Sequence, residues 1–209
     1  MNLDPLDVLL SEDRIPRTVD PDEGRTARPT WVGKNYRPGG VLFMGKNPGG
    51  GSSSFETRRP SWDFPFFDAM KRLREKRDMA AYAHLSDEVQ PTVMRQWPMW
   101  RSIGAVLDAL RLDLFSVAMG NFVPFRTQGN KVLAKEFEAA WRLDTRQIIV
   151  TIRPSVIVKM TNDFRAFFGY CPNGIRVQQF HRANGDNYIT PAGHADLNQL
   201  RTIGESLQH

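Results

Sequence analysis

Three short stretches of this chain carry residue types that could do chemistry together. "GKNPGGG" at 45–51 sets Gly45, Lys46 and Asn47 among small residues, "GNFVPFRT" at 120–127 offers Asn121 and Arg126, and "PAGHADLN" at 191–198 offers His194. An amide can hold a water molecule, or read a polar edge through its paired donor and acceptor. An imidazole can donate to a developing negative charge, and glycines let a ligand come close to the backbone. No carboxylate pair, serine elbow or metal-ligand cluster is as well placed. The first loop is not a Walker loop, because Gly-Lys is followed by Asn where Ser or Thr is required and the spacing differs.

Each stretch must be held by the element before or after it. Val41–Met44 is an unbroken apolar run that suits a strand buried on both faces, and the first loop leaves its end. "LFSVAMGNFVPF" reads as a second core strand running into a loop at Asn121, and "RPSVIVKM" as a third. Helical spacing predicts a helix over 65–76 (Phe66, Met70 and Leu73 inward, the basic "KRLREKR" outward), one over 99–111 (Ile103, Val106, Leu107 and Leu110 inward), and one over about 131–147 (Leu133, Phe137, Ala140 and Trp141 on one face). "NDFRAFFG" suits a short helix ended by Gly169. "IRVQQF" and "NYIT" read as strands joined by "HRANGD", whose Asn-Gly pair is a hairpin signal. A last helix fits 197–207, with Leu197, Leu200 and Ile203 inward and Asp196 as its N-cap. Strands alternating with helices give an α/β fold with a central, largely parallel sheet. In such a sheet ligands bind outside the carboxyl ends of the strands, where the three stretches lie.

Residues 1–38 have no sustained period and read as an irregular lead-in packed on a single domain spanning 39–209. The chain has 209 residues, 41% hydrophobic and 24% charged, with one cysteine, Cys171. That count excludes a disulfide framework, a multi-cysteine zinc site and a four-cysteine iron–sulfur cluster, and fits an intracellular, cytoplasmic setting. The acidic start "MNLDPLDVLLSEDR" has the pattern of neither a signal peptide nor a membrane span. A net charge of +5 favours a polyanionic partner through counterion release.

Taken in order, "GKNPGG", "NFVPFRT", "RPSVIVKMTNDFRAFF" and "PAGHADLN" resemble the uracil-DNA glycosylase superfamily over roughly residues 39–207. The first stretch is similar to the Gly-x-Asn-Pro-Gly loop of its mismatch-specific branch, and the second to an Asn-x-Val-x-x-Arg segment. The resemblance implies a three-layer α/β/α fold and a monomeric enzyme without metal or cofactor that hydrolyses the bond between a deaminated base and deoxyribose in DNA. Such an enzyme takes its base out of the stack. Under that resemblance Asn47 holds the attacking water and His194 stabilises the departing base. Asn121, Gly45 and Lys46 line the base, with Phe55 ahead of Trp62 and Phe64 as the aromatic that stacks on it. Arg58, Arg59 and Arg126 contact phosphates. The usual second motif carries Pro-Ser after its first residue, whereas Ala195 and Asp196 follow His194 here. Moving the motif to "FHRANG" makes His181 the histidine instead; the position just before the last helix favours His194. Two other readings stay open: a nucleic-acid-binding protein of the same fold that cuts nothing, and a small-nucleotide or phosphate-binding enzyme using the glycine-rich loop. The aromatic "RQWPMWR" at 95–101 reads as core packing by Trp97 and Trp100 rather than base stacking.

Overall fold

A computed structural model describes residues 30–47, 64–97, 99–124, 132–161, 171–181 and 189–207. Its centre is a five-stranded sheet: β1 (Trp31–Val32), β2 (Val41–Gly45), β3 (Val117–Asn121), β4 (Val156–Lys159) and β5 (Arg176–Gln179), in the spatial order β1-β3-β2-β4-β5. Four strands are parallel and only β1, on the edge, runs antiparallel, to β3. The expected mixed α/β class with a largely parallel sheet is therefore present. After β2 the chain turns to one side for β3 and crosses to the other for β4, so the carboxyl end of β2 lies at a switch in strand order.

The alternation of side chains along a strand explains why Val41–Met44 is apolar throughout. Val41 and Phe43 belong to one buried cluster and Leu42 and Met44 to another. The first cluster adds Val117, Met119, Val156 and Val158 from the strands. Against them pack Ile103, Val106, Leu107 and Leu110 of a helix over Trp100–Leu110, and Leu197, Leu200 and Ile203 of the last helix, Pro191–Ser206. The second adds Ala118 and Ile157, covered by Phe137 and Ala140 and by Ile148, Ile149 and Ile152. Trp97 and Trp100 pack against the first cluster, in keeping with the core role expected of them.

In chain order the helices are α1 (Phe64–Lys76), α2 (Met79–His84), α3 (Gln90–Met94), α4 (Trp100–Leu110), α5 (Ala134–Ala140), α6 (Arg146–Ile152) and α7 (Pro191–Ser206). Turns of π-helix over Leu85–Val89 and Trp141–Thr145 join α2 to α3 and α5 to α6. On α1, Leu73 is buried while Arg72 and Lys76 are exposed, as is Arg77 just beyond its end.

Four departures from the sequence reading stand out. Trp31–Val32 joins the sheet from within the supposedly irregular lead-in, because the exposed edge of β3 accepts even a two-residue strand. The stretch 79–94, where the sequence reading named no element, is one helical run; Pro91 follows its π-helical turn, in which Gln90 N–H reaches back to Leu85 O, while Ser86 O accepts from Trp31 Nε1 at 2.8 Å instead. The helical run expected to end near 147 continues to Ile152, since burying Ile148, Ile149 and Ile152 outweighs their weak helix propensity. Finally, α7 starts at Pro191 rather than 197. Thr190 is its N-cap, accepting from Gly193 N at 3.1 Å, and Asp196 sits inside the helix. The signal is a Thr-Pro pair at the N-cap and first helical position; Thr190 closes the run "NYIT" that was expected as a strand. The Asn-Gly turn lies in 182–188 and the "NDFRAFFG" segment in 162–169, both outside the described residues.

Candidate functional site

The first two stretches meet at the carboxyl edge of the sheet. Gly45 is the registered neighbour of Asn121, and the ladder continues past both strands: Phe122 N donates to Gly45 O and Val123 N to Lys46 O, each at 2.9 Å. Segment 45–47 is thus fixed beside segment 121–123. Asn47 is 9% exposed, unusually buried for an amide just beyond a strand, while Asn121 and Lys46 are half-buried. A Cβ placed on Gly45 would lie 2.6 Å from Oδ1 of Asn121. The side chain of Asn121 therefore rests on the bare Cα of Gly45, and this glycine supplies room for an amide from the neighbouring strand.

On the other side of β2 the ladder also runs on. Met160 N donates to Met44 O at 2.9 Å and Phe180 N to Lys159 O at 3.0 Å. Lys159 closes β4 and is buried. A cation ending an apolar strand run was a visible sign that the sequence reading passed over. His181 follows Phe180 at the carboxyl end of β5, two strands from β2, or about 10 Å across the sheet.

The two histidines are placed differently. His194 is exposed on α7. Asp196 is two residues further, about 200° around the helix axis, so it faces inward. It is 7% exposed and its Oδ2 accepts the backbone N–H of His181 at 2.7 Å and is paired with the ring Nδ1 of the same residue at 2.8 Å. The carbonyl of His181 accepts from Thr190 Oγ1 at 3.1 Å, and a Cβ on Gly193 would run into that same carbonyl. Alongside, Gln178 Nε2 donates to Gln199 Oε1 at 2.8 Å. The first turns of α7 are thereby locked onto the end of β5. Asp196 is a candidate site residue that sequence reasoning assigned to a cap, and a separation of fifteen positions left no local signal for its partner.

Behind Asn121, Thr145 Oγ1 donates to Phe122 O at 2.8 Å, tying the π-turn between α5 and α6 to this edge. The adjacent Asp144 is buried, which pushes its carboxyl up to about 7. Glu136 on α5 is buried too, one oxygen accepting from Leu133 N at 2.7 Å. Cys171 is no candidate nucleophile, since burial pushes its thiol up to about 11.

Asn47, Asn121, Gly45, Lys46 and His181 thus share one edge of the sheet, with His194 near it but pointing outward. Phe55, Trp62, Arg58, Arg59 and Arg126 lie outside the described residues, and Phe64 opens α1. Among the described residues no group of three or more His, Cys, Asp or Glu side chains could hold a metal ion, and no helix is long and apolar enough to cross a membrane. Neither a protein-family model nor a curated protein matches the chain. Chemically, the edge offers two amides and an oriented imidazole.

Proposed function

We propose that this chain is a DNA glycosylase of the uracil-DNA glycosylase fold, hydrolysing the N-glycosidic bond of uracil or another deaminated base during base-excision repair. One observation carries the reading. The two asparagine stretches that resemble this superfamily, 74 residues apart at Asn47 and Asn121, are hydrogen-bonded side by side at the carboxyl edge of a parallel sheet. Apolar clusters on both faces of the sheet support a three-layer α/β/α arrangement.

In this mechanism Asn47 holds the attacking water; an amide is no strong base, but the sugar becomes cation-like as its bond breaks, and a positioned neutral water then suffices. Asn121, its Oδ1 against Gly45, pairs with the edge of the flipped base. The departing base takes the glycosidic electron pair, and His181 rather than His194 donates to it. The strand-end position and the fixed ring of His181 support that choice, whereas the ring of His194 is exposed. Water oxygen bonds to C1′ as the bond from C1′ to the base nitrogen breaks, water's proton is released to solvent, and the base anion takes up a proton from solvent. Lys46 and the arginines at 58, 59 and 126 are the proposed phosphate contacts, and the chain works without metal or cofactor.

The test is a panel of oligonucleotides carrying uracil, thymine mismatches, hypoxanthine or xanthine, scored for alkali-labile sites. Wild-type protein should cleave at least one. Asn47→Ala and His181→Ala should each lose roughly 100-fold or more in single-turnover rate with DNA affinity kept, in the range seen when a positioning or charge-stabilising group is removed. His194→Ala should stay within about threefold of wild type, as expected for an exposed side chain outside the reaction. Folded wild-type protein that leaves every substrate intact would remove the enzymatic reading. Salt-sensitive DNA binding without base release would select the silent binder instead.

A further inference from the structure

We infer that Thr145 is a positioning residue for Asn47, acting through one backbone peptide that links the two asparagine segments. This rests on the glycosylase reading above and names a residue, away from the edge itself, that sets the direction of its water-holding amide.

The link shows in the direction of the carbonyls. Along a regular strand, successive carbonyls point to opposite neighbours. β2 follows this rule to its end: Met44 O accepts from Met160 N on the β4 side and Gly45 O from Phe122 N on the β3 side. Lys46 O should then turn back toward β4, yet it accepts from Val123 N at 2.9 Å. The facing chain breaks step at the same place, because Phe122 and Val123 are consecutive donors to one side. A trans peptide holds its C=O and N–H in opposite directions. With Val123 N–H aimed at Lys46, the carbonyl of Phe122 is turned away from β2. There the buried Thr145 donates to it through Oγ1, at 2.8 Å. The hydroxyl, peptide 122–123 and peptide 46–47 thus stand in series, and the last of them leads directly into Asn47.

The π-turn equips Thr145 for this task. A helical threonine commonly turns its hydroxyl back to the carbonyl four residues earlier, here that of Trp141. The widened turn has Arg146 N donating to Trp141 O, and Thr145 reaches sideways to the sheet edge. The same turn grips Phe122 a second time. Its fully buried ring stacks on Trp141, with centroids 5.9 Å apart and planes 9° apart, and meets Phe137 edge-on at 5.8 Å. Without the hydroxyl, the carbonyl of Phe122 is left unpaired in a buried position. That cost favours rotation of peptide 122–123, and through Lys46 O a shift of the plane that enters Asn47.

The test compares Thr145→Val, which keeps the shape and loses the hydroxyl, with Thr145→Ser, which keeps the hydroxyl. Thr145→Ala serves where Thr145→Val does not fold. Amide hydrogen exchange comes first, because it needs no substrate. Exchange at Val123 should quicken at least roughly tenfold in Thr145→Val and stay within about threefold of wild type in Thr145→Ser. Ile149→Val, a change in the same buried cluster, controls for general loss of stability. Single-turnover base release at saturating DNA should fall roughly 10- to 100-fold in Thr145→Val, as a displacement of about 1 Å can produce, with DNA affinity kept. Thr145→Ser and Ile149→Val should stay within about threefold of wild type. In the Asn47→Ala background, Thr145→Val should cost no more than about threefold further, since the amide it places is already gone. Unchanged exchange at Val123, an equal loss of rate in Ile149→Val, or the full loss persisting in Asn47→Ala would each overturn the inference and leave the glycosylase reading standing. Absence of base release by the wild type would remove that reading, and the role of Thr145 in it.

Discussion

At the scale of single residues, Gly45 matters for what it lacks. Asn121 Oδ1 occupies the space a Cβ would take. The conflict is with a movable side chain rather than with backbone, so Gly45→Ala should cost little stability, on the order of 1 kcal/mol, while turning Asn121 away. If Asn121 reads the base, base release should fall at least tenfold with thermal unfolding nearly unchanged. Activity kept in Gly45→Ala would mean that the placement of Asn121 is incidental. Asn47 differs, since its amide is itself buried beyond the end of β2. Burial of an amide is costly unless it is satisfied, so its position is imposed by the ladder that fixes segment 45–47 beside 121–123. The same logic separates the histidines: helical geometry turns Asp196 inward and leaves His194 outside, and only His181 is given a partner that fixes its ring.

At the scale of elements, the junction between β5 and α7 is where packing and proposed chemistry meet. The hydroxyl of Thr190 accepts from Gly193 N and donates to His181 O. Thr190→Ala removes both bonds and should lower stability by about 1–2 kcal/mol, while Thr190→Ser should recover most of it, as read from thermal or urea unfolding. Gly193→Ala should be worse than Thr190→Ala. Its methyl group meets the backbone carbonyl of His181, so the start of α7 must move and take Asp196 with it. Base release should then fall further than the loss of folded protein accounts for. On the opposite side, the π-turn over Trp141–Thr145 inserts an extra residue into the α5–α6 run and brings Thr145 to Phe122 O. Without that widening, the run would present different side chains to the loop after Asn121.

At the scale of the whole molecule, Asp144 couples stability to pH. Its carboxyl is raised from 3.8 to about 7 by burial, so the folded state favours the neutral form. The resulting stability is fully present below 3.8 and is lost as pH rises through about 7. Asp144→Asn should flatten that dependence: relative to wild type it gains stability on going from about pH 5 to about pH 8, by at most about 2.5 kcal/mol. Urea unfolding at the two pH values measures this, and parallel behaviour of the two proteins would rule it out. The fold around this group was largely legible in the chain. Val41–Met44, the stripe Ile103-Val106-Leu107-Leu110 and the inward residues of α7 are set by period alone, because burial on a strand or helix face demands it. The α/β class and the edge on which the asparagines lie followed from the order of those elements. What stayed hidden depended on contacts between distant parts. The two-residue strand β1 exists only because β3 offers an unpaired edge, and the helical run through Ile152 follows its buried cluster rather than its propensity. By itself the sequence determined that two asparagine loops leave the carboxyl ends of strands in a largely parallel sheet. Only the tertiary structure decided that His181, rather than His194, stands at the strand end with an oriented ring, because a helix phase and a hydrogen bond spanning fifteen residues have no trace in local pattern.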